Sequence, residues 1–162
     1  MLKIEINRED YWNFNKFVLL QRYKVTVYSF IVGLPIMMVL IFLGMKLPFW
    51  YSVSVGIIGG VFINYFAYKR IKQRIKKLLE DNKGILGVHE IEITNEELKW
   101  RNSVTEGSTK WEGINSIEED KDYFYIFIDK IMAHIIPKRT FTTQVDMNRF
   151  LDQIKTYLKT NK

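Results

Sequence analysis

Cysteine is absent from the 162-residue sequence, and histidine and proline are scarce. Without cysteine the chain has no disulfides, no thiolate nucleophile and no Cys-ligated zinc site, which fits a reducing compartment. Only His89 and His134 supply imidazole groups. No nucleotide-binding, serine-hydrolase or metalloprotease motif with residues at fixed spacing is present. The sequence therefore predicts a protein that is not an enzyme and that has no cofactor and no metal site.

Positive charge is concentrated in the first half of the chain. Residues 1–84 carry 13 Lys and Arg against 5 Asp and Glu, whereas residues 85–162 carry 11 against 13. A nucleic-acid-binding domain is expected to carry its positive charge on the folded module that contacts the phosphates. The candidate globular half is slightly acidic, so we predict no nucleic-acid partner.

Two stretches without a charged residue lie in the basic half, at residues 25–45 and 47–68, separated by Lys46. About 20 apolar residues form a helix long enough to cross a membrane. Two buried helices of a soluble protein are disfavoured, because the rest of the chain is too short to cover them. A cleaved signal peptide is disfavoured by the polar-rich residues 1–24 that precede the first stretch. We predict a transmembrane hairpin over residues 25–68 that anchors the protein.

The flanks of this hairpin predict its orientation, because short segments rich in Lys and Arg stay in the cytoplasm. Residues 1–24 are expected to form a cytoplasmic strand and helix, and residues 69–84 a basic juxtamembrane helix. The basic residues of that helix either contact anionic lipid headgroups or only determine the topology; they are Lys69, Arg70, Lys72, Arg74, Lys76 and Lys77. Both termini of this multi-pass protein are then cytoplasmic.

Small residues recur four positions apart in both predicted spans. Ser29 and Gly33 lie in the first span, and Gly56 and Gly60 in the second. Such spacing lets two helix backbones approach closely. The contact is expected either within the hairpin or between copies in a homo-oligomer.

From residue 85 the pattern changes to short alternating segments typical of β-strands, at residues 86–94, 97–102, 108–120, 122–129 and 130–138. Thr143 and Asp146 resemble the start of a C-terminal helix. This pattern predicts an α+β module over residues 85–162, a small antiparallel barrel or curved sheet that the helix caps. Residues 2–7 also alternate, and Asn7 is placed to cap a following helix. Whether this N-terminal strand joins the C-terminal sheet is left open.

The segment "KWEGINSIEEDKDYFYIFIDKIMAHIIPKRTF", together with the N-terminal strand and helix and the two spans, resembles the YcxB-like family of bacterial membrane proteins. The resemblance implies a pleckstrin-homology-like (PH-like) cytoplasmic domain in the bacterial cytoplasmic membrane, and it implies no activity. The matching positions are Trp111, Tyr123, Tyr125, Pro137, Lys138, Arg139 and Phe141.

Lys138 and Arg139 are the candidate partner-binding residues, because they lie where the last strand leaves the sheet. They either dock a phosphate, a carboxylate or an acidic partner, or form a solvated corner. His134 is expected to be a partly buried strand residue. The acidic residues Glu118, Glu119, Asp120 and Asp122 are expected to be solvated around a turn, since they would hold a cation only if folded into a cup.

These features predict an integral membrane protein whose cytoplasmic module binds a protein or a lipid headgroup through a strand edge or the Lys138 and Arg139 corner. The alternative is a self-protection (immunity) protein that neutralises an antibacterial toxin at the membrane.

Overall fold

The computed structural model describes residues 1–82 and 84–160. Lys83, in the predicted juxtamembrane helix, and residues 161–162, in the predicted C-terminal module, lie outside the described residues. Met1–Phe14 and Leu79–Lys162 form one unit, here called the sheet module, and Asn15–Leu78 form a second, here called the hairpin unit. The hairpin unit is thus inserted in the sequence between two parts of the sheet module.

The described helices are α1 (Arg8–Arg22), α2 (Lys24–Gly44), α3 (Phe49–Asp81) and α4 (Gln144–Thr160). The described strands are β1 (Leu2–Ile6), β2 (Gly87–Ile93), β3 (Glu97–Arg101), β4 (Glu106–Lys110), β5 (Ser116–Glu119), β6 (Tyr123–Phe127) and β7 (Ala133–Pro137). Short 3-10 turns follow β4, at Trp111–Gly113, and β7, at Lys138–Thr140.

Two helices, α2 and α3, are long and apolar enough to cross a membrane. Within α2, which the structure describes throughout, no residue is fully buried: many apolar side chains are exposed, and Pro35 and Val39, which face α3, are half-buried. The helix α3 has 33 residues, a length of about 50 Å. A hydrocarbon core is about 30 Å thick, so α3 is about 20 Å longer than one crossing requires. The additional length is the basic end of the helix.

Glycines of α3 allow close approach to α2 in the hairpin unit. A Cβ atom added at Gly60 would lie 2.5 Å from Cα of Pro35, and one added at Gly56 would lie 2.7 Å from the backbone nitrogen of Val39. The predicted small residues of α2 are placed differently. Ser29 is exposed, and a Cβ atom at Gly33 would have no neighbour within 4 Å. The tight contact inside the hairpin therefore comes from the glycines of α3 alone.

Pro35 creates a polar defect inside α2, because it has no N–H to donate to the carbonyl of Ile31 four residues earlier. Asn64 of α3 donates its amide to that Ile31 oxygen at 3.5 Å and to the oxygen of Gly60 at 3.0 Å. Placing a carbonyl group in hydrocarbon without a hydrogen-bond donor costs about 2 kcal/mol or more. The carboxamide of Asn64 thus compensates for the proline on the neighbouring helix.

Within the described residues, the strands of the sheet module form two antiparallel sheets, with orders β1-β2-β3-β4 and β5-β6-β7. The N-terminal strand joins the first sheet, with Ile4 opposite His89 and Ile6 opposite Gly87. The antiparallel strands and the C-terminal helix are confirmed. The expected barrel is not closed among the described strands, because β5 pairs with β6 and not with β4.

The predicted strand at residues 108–120 is divided into β4 and β5, which lie in different sheets. Its middle forms a 3-10 turn because two apolar side chains turn into the core: Trp111 is 1% exposed and Ile114 is fully buried. The indole N–H of Trp111 donates to the backbone oxygen of Thr94 at 3.0 Å. A continuous strand would place these two side chains, three residues apart, on opposite faces of the sheet.

Strand β6 forms the centre of the module, and all five of its residues are buried. Its alternating side chains face two layers. Phe124 and Ile126 belong to the main core with residues of the first sheet, and Tyr125 and Phe127 pack against Phe14 of α1 at ring-centroid distances of 5.6 and 6.1 Å. The helix α4 adds the buried Ile154 to the main core, so the module consists of residues 8–14 of α1, two sheets and α4.

Replacing Gly60 with Val is expected to weaken the hairpin, because the added side chain would overlap Pro35 at the point where the two backbones are closest. Overpacking of this kind costs about 1–3 kcal/mol. The measurement is thermal unfolding of the full chain in mild detergent. Gly33→Val is the matched control and should retain the wild-type stability, since its Cβ has open space around it. Equal losses in both variants would contradict the glycine contact, and a change of oligomeric state in Gly33→Val alone would favour the homo-oligomer alternative.

Candidate functional site

Arg139 binds a buried carboxylate within the sheet module. Its two terminal nitrogens donate to the two oxygens of Asp10, Nη1 to Oδ1 at 2.7 Å and Nη2 to Oδ2 at 2.6 Å. Asp10 is 1% exposed, whereas the side chain of Arg139 is 51% exposed. The Tyr123 hydroxyl adds a third donor to Oδ1 of Asp10 at 2.9 Å. We call Asp10, Tyr123 and Arg139 the Asp10 cluster.

The start of α1 holds Asp10 in place through a reciprocal cap. The side-chain oxygen of Asn7 accepts from the backbone N–H groups of Glu9 and Asp10 at 2.8 and 3.0 Å, and the N–H of Asn7 donates to Oδ2 of Asp10 at 2.8 Å. This arrangement is a capping box, and it confirms Asn7 as the predicted cap. A carboxylate in the first turn is also favoured by the positive end of the helix dipole.

Hydrogen bonding decides the charge of this cluster. Burial raises the pKa of Asp10, but the hydrogen bonds from Arg139, Asn7 and Tyr123 outweigh it and hold that pKa below its usual value. The pKa of Arg139 is raised, chiefly by its hydrogen bond to Asp10. Burial, followed by the nearby Asp10 carboxylate, raises the pKa of Tyr123 although Asn13 and Arg139 oppose it. The cluster is therefore a charged pair that binds a neutral phenol.

Lys138, the other residue of the predicted partner-binding corner, also has partners within the module. Its ammonium donates to the backbone oxygen of Asp120 at 2.6 Å and pairs with Glu119 at 3.3 Å. It also lies 4.6 Å from the centre of the Phe124 ring. The structure places Lys138 and Arg139 together at the end of β7, and both bind groups of their own chain. Docking of a partner at this corner stays a prediction.

The acidic turn between β5 and β6 is organised by Asp120. Its Oδ1 accepts from the N–H groups of Asp122 and Tyr123, and its Oδ2 accepts from the Tyr125 hydroxyl at 2.8 Å. Burial, together with this hydrogen bond, raises the pKa of Tyr125 well above its usual value. Within the described ranges, 1–82 and 84–160, no group of three or more His, Asp or Glu side chains is placed to hold a metal ion. Asp120 stabilises the turn.

Charges of alternating sign cross the outer face of the first sheet in one row. Strand register places Lys3, Glu90, Arg101 and Glu106 opposite one another on four successive strands. Glu90 pairs with Lys3 at 3.3 Å and with Arg101. Hydrogen bonds from Arg101 and Lys3 lower the pKa of Glu90. The open depression over this face has a volume of about 620 Å³, and its charged lining consists of four glutamates, one lysine and one arginine.

The edge strand β4 is the other exposed feature of this sheet. It pairs with β3, and among the described strands none pairs with its opposite side. Trp100 of β3 covers Gly107 on the inner face, where an added Cβ atom would lie 2.6 Å from the indole ring. The glycine thus lets the large ring lie flat beneath the edge strand.

The two histidines lie on the inner faces of their sheets. His134 packs beside Trp100 at a ring-centroid distance of 5.8 Å, and its Nε2 is buried without a hydrogen-bond partner among the described residues. Burial, and to a smaller extent the neighbouring His89, lower the pKa of His134 to about 4. Burial also lowers the pKa of His89, although its ring nitrogen contacts the oxygen of Ile85 at 3.1 Å. His134 is the partly buried strand residue that the sequence predicts.

The predicted lipid-contact residues all lie on the basic end of α3 in the hairpin unit. They are exposed, and they are Lys69, Arg70, Lys72, Arg74, Lys76 and Lys77. Ile75 is the half-buried residue among them. The basic residues thus continue the helix of the second candidate span without a break.

Comparison with known proteins gives a family match for part of the sheet module. Residues 93–154 match the YcxB-like protein family. The match confirms the resemblance for this part of the chain. The YcxB-like segment includes Tyr123, Arg139 and most of α4, whereas Asp10 and the hairpin unit precede it. No curated protein and no solved structure matches the chain.

Sequence reasoning did not identify Asp10 as a partner of the YcxB-like segment. A signal was present, because Asn7 and Asp10 have the spacing of a capping box. Nothing in that spacing shows that the carboxylate is buried or that its cation comes from residue 139, which is 129 positions away.

Replacing Arg139 with Leu is expected to destabilise the sheet module, because Asp10 keeps a buried charge and loses its cation. Breaking a buried pair costs about 3–5 kcal/mol, and the half-exposed Arg139 suggests a smaller loss of about 2 kcal/mol. The measurement is unfolding of the full chain in mild detergent, followed by tryptophan fluorescence. The loss should shrink as the pH falls, because the unpaired Asp10 is then protonated.

Arg149→Leu is the matched control for this experiment. Arg149 faces Asp146 at 3.6 Å, and both side chains are exposed. Such pairs contribute little, so this variant should behave like the wild type. A similar loss in both variants would show that Arg139 acts as an ordinary surface residue.

The buried His134 predicts a loss of stability in mild acid. The pKa of His134 is about 4 in the folded chain and about 6.5 in the unfolded chain, so protonation favours the unfolded chain. Above pH 6.5 the ring is neutral in both states, and the folded chain keeps its full stability. The contribution of the neutral ring, of at most about 3 kcal/mol, is lost as the pH falls from 6.5 toward 4. His134→Leu should flatten the dependence of the unfolding temperature on pH in this window. An unchanged slope would contradict a buried neutral His134.

Proposed function

We propose that this chain is a non-enzymatic integral membrane protein whose sheet module binds an extended segment of a partner protein along β4. The unpaired edge of β4 is the observation that carries the proposal. An edge strand offers a row of backbone donors and acceptors to which another strand can add. The Lys138 and Arg139 corner is the less favoured surface, since both side chains already bind groups of the module.

A PH-like architecture of the module is part of this proposal. The resemblance to the YcxB-like family implies a PH-like domain, and two antiparallel sheets of four and three strands with a C-terminal helix support it. The main core lies between the two sheets and includes Ile154 of α4. The helix α4 packs on the 3-10 turn after β4, with the Tyr157 ring 5.4 Å from that of Trp111, and β4 is the last strand of its sheet.

The pairing of β1 with β2 supports the proposed topology. These strands precede and follow the hairpin unit in the sequence, and they are hydrogen-bonded neighbours. If α2 and α3 each cross the membrane, both ends of the hairpin must return to the same side. The basic residues at the two ends favour the cytoplasm for that side. We therefore propose a multi-pass protein of the bacterial cytoplasmic membrane with a cytoplasmic module.

The backbone groups that β4 offers can be assigned from the turn before it. The N–H of Asn102 donates to the oxygen of Thr105 at 2.9 Å, so the next facing pair, Arg101 and Glu106, is a non-hydrogen-bonded one. Hydrogen-bonded and non-hydrogen-bonded pairs then alternate along the strand. The backbone N–H and C=O groups of Glu106, Ser108 and Lys110 therefore point away from β3, toward the open edge.

Replacing Ser108 with Pro is expected to weaken partner binding, because proline removes the central outward N–H of β4. Proline is tolerated on edge strands where its missing N–H faces away from the sheet, so the module should fold. The measurement is in-cell photo-crosslinking of the full chain from a reactive residue introduced at Lys110. We expect one discrete partner protein whose yield falls about tenfold, as for a lost main-chain hydrogen bond to a strand.

Ser108→Ala is the control, since it removes the hydroxyl and keeps the N–H. It should retain the partner. Binding of the purified partner to the two purified variants would then confirm the contact. Equal crosslinking in Ser108→Pro and Ser108→Ala would exclude β4 as the binding edge. A toxin as the captured protein would favour the self-protection alternative, which otherwise stays a prediction.

A further inference from the structure

An open groove lies along α3 in the hairpin unit. Its volume is about 480 Å³, within the range of small-molecule sites. The lining is apolar at one end and carries two guanidinium groups at the other, and it consists of Phe62, Ile63, Phe66, Ala67, Arg70, Ile71 and Arg74. A surface that changes from aromatic and aliphatic to cationic along one line fits an amphipathic anion.

Helical geometry places the two arginines on the same face. Arg70 and Arg74 are four residues apart, so their side chains are neighbours on the helix surface. Ile63 and Phe66 precede Arg70 by seven and four positions and lie on that same face. Lys72 and Lys76 lie on the opposite face, because two residues correspond to a rotation of about 200°. The groove thus includes only part of the basic segment.

The position of the groove along α3 matches one leaflet of a membrane. The apolar stretch from Phe49 to Tyr68 has a length of about 29 Å, close to the thickness of a hydrocarbon core. Phe62 and Ala67 lie in the last third of that stretch. Arg70 and Arg74 lie about 3 and 9 Å beyond its end along the helix axis. They are therefore at the level at which lipid headgroups are found.

We infer that this groove binds one anionic phospholipid, whose acyl chain lies along Phe62 and Phe66 and whose phosphate is held between Arg70 and Arg74. Guanidinium groups suit this role because each presents parallel donors to phosphate oxygens. The two adjacent arginines suit a phosphate group, and the apolar end of the groove continues the apolar span. Both features favour a lipid over a protein partner. This inference is independent of the β4 edge, which lies in the sheet module.

The test measures lipid retention by the full chain. The protein is purified in mild detergent, exposed to an equimolar mixture of phosphatidylglycerol and phosphatidylcholine, and examined by native mass spectrometry. The wild type should retain one phosphatidylglycerol in preference to phosphatidylcholine. The double variant Arg70→Gln, Arg74→Gln should lose this preference by about tenfold or more, as expected for two cations near a headgroup.

The charge-matched control is Lys72→Gln, Lys76→Gln, which removes two cations from the opposite face of the same helix. It should keep the bound phosphatidylglycerol. Phe66→Ser should weaken retention of both lipids, because it removes the aromatic surface under the acyl chain. Equal loss in the two double variants would overturn the site and leave only a diffuse attraction to anionic headgroups. A dimer crosslinked through Phe66 would overturn it as well, since a second copy would then occupy the groove.

Discussion

The sheet module depends on the burial of one carboxylate. Asp10 is almost inaccessible to water, and a charged group in that position is stable only when donors surround it. The donors come from distant parts of the chain, namely Asn7 at the start of α1, Tyr123 in β6 and Arg139 after β7. Arg139 also donates to the backbone oxygen of Glu5 in β1 at 3.2 Å. The requirement to satisfy one anion therefore connects the N-terminal strand and helix to the three-stranded sheet.

In the hairpin unit, one side chain compensates for the hydrogen bond that Pro35 removes. Proline in α2 removes a hydrogen bond from a helix whose surroundings are expected to contain no water. Asn64 of α3 supplies a donor to the carbonyl that the proline leaves behind, and the glycines at 56 and 60 let the helices come close enough for that contact. Asn64, the only carboxamide in the apolar stretches 25–45 and 47–68, thus has a structural role.

The helices and strands of this fold could be predicted where one pattern of apolar residues dominates a segment. The two long helices follow from apolar length, β2 follows from alternation, and β6 follows from its run of β-prone residues. The division of residues 108–120 could not be predicted, because burial of Trp111 and Ile114 overrides the strand pattern. The corner residues Lys138 and Arg139 were visible as cations, but their partners Asp120 and Asp10 are set by tertiary packing. The groove at Arg70 and Arg74 follows from helical spacing, which the sequence does show.

The insertion of the hairpin unit between β1 and β2 also constrains how the chain is synthesised. Strand β1 leaves the ribosome before β2, and the residues that pair, from Leu2 with Ile91 to Ile6 with Gly87, are 89 to 81 positions apart. Pairings of such large sequence separation form slowly, and an unpaired strand is prone to aggregation while it waits. Membrane insertion of α2 and α3 would bring the two ends together and shorten the search. Folding of the first sheet would then depend on the insertion of a segment that contributes none of its strands.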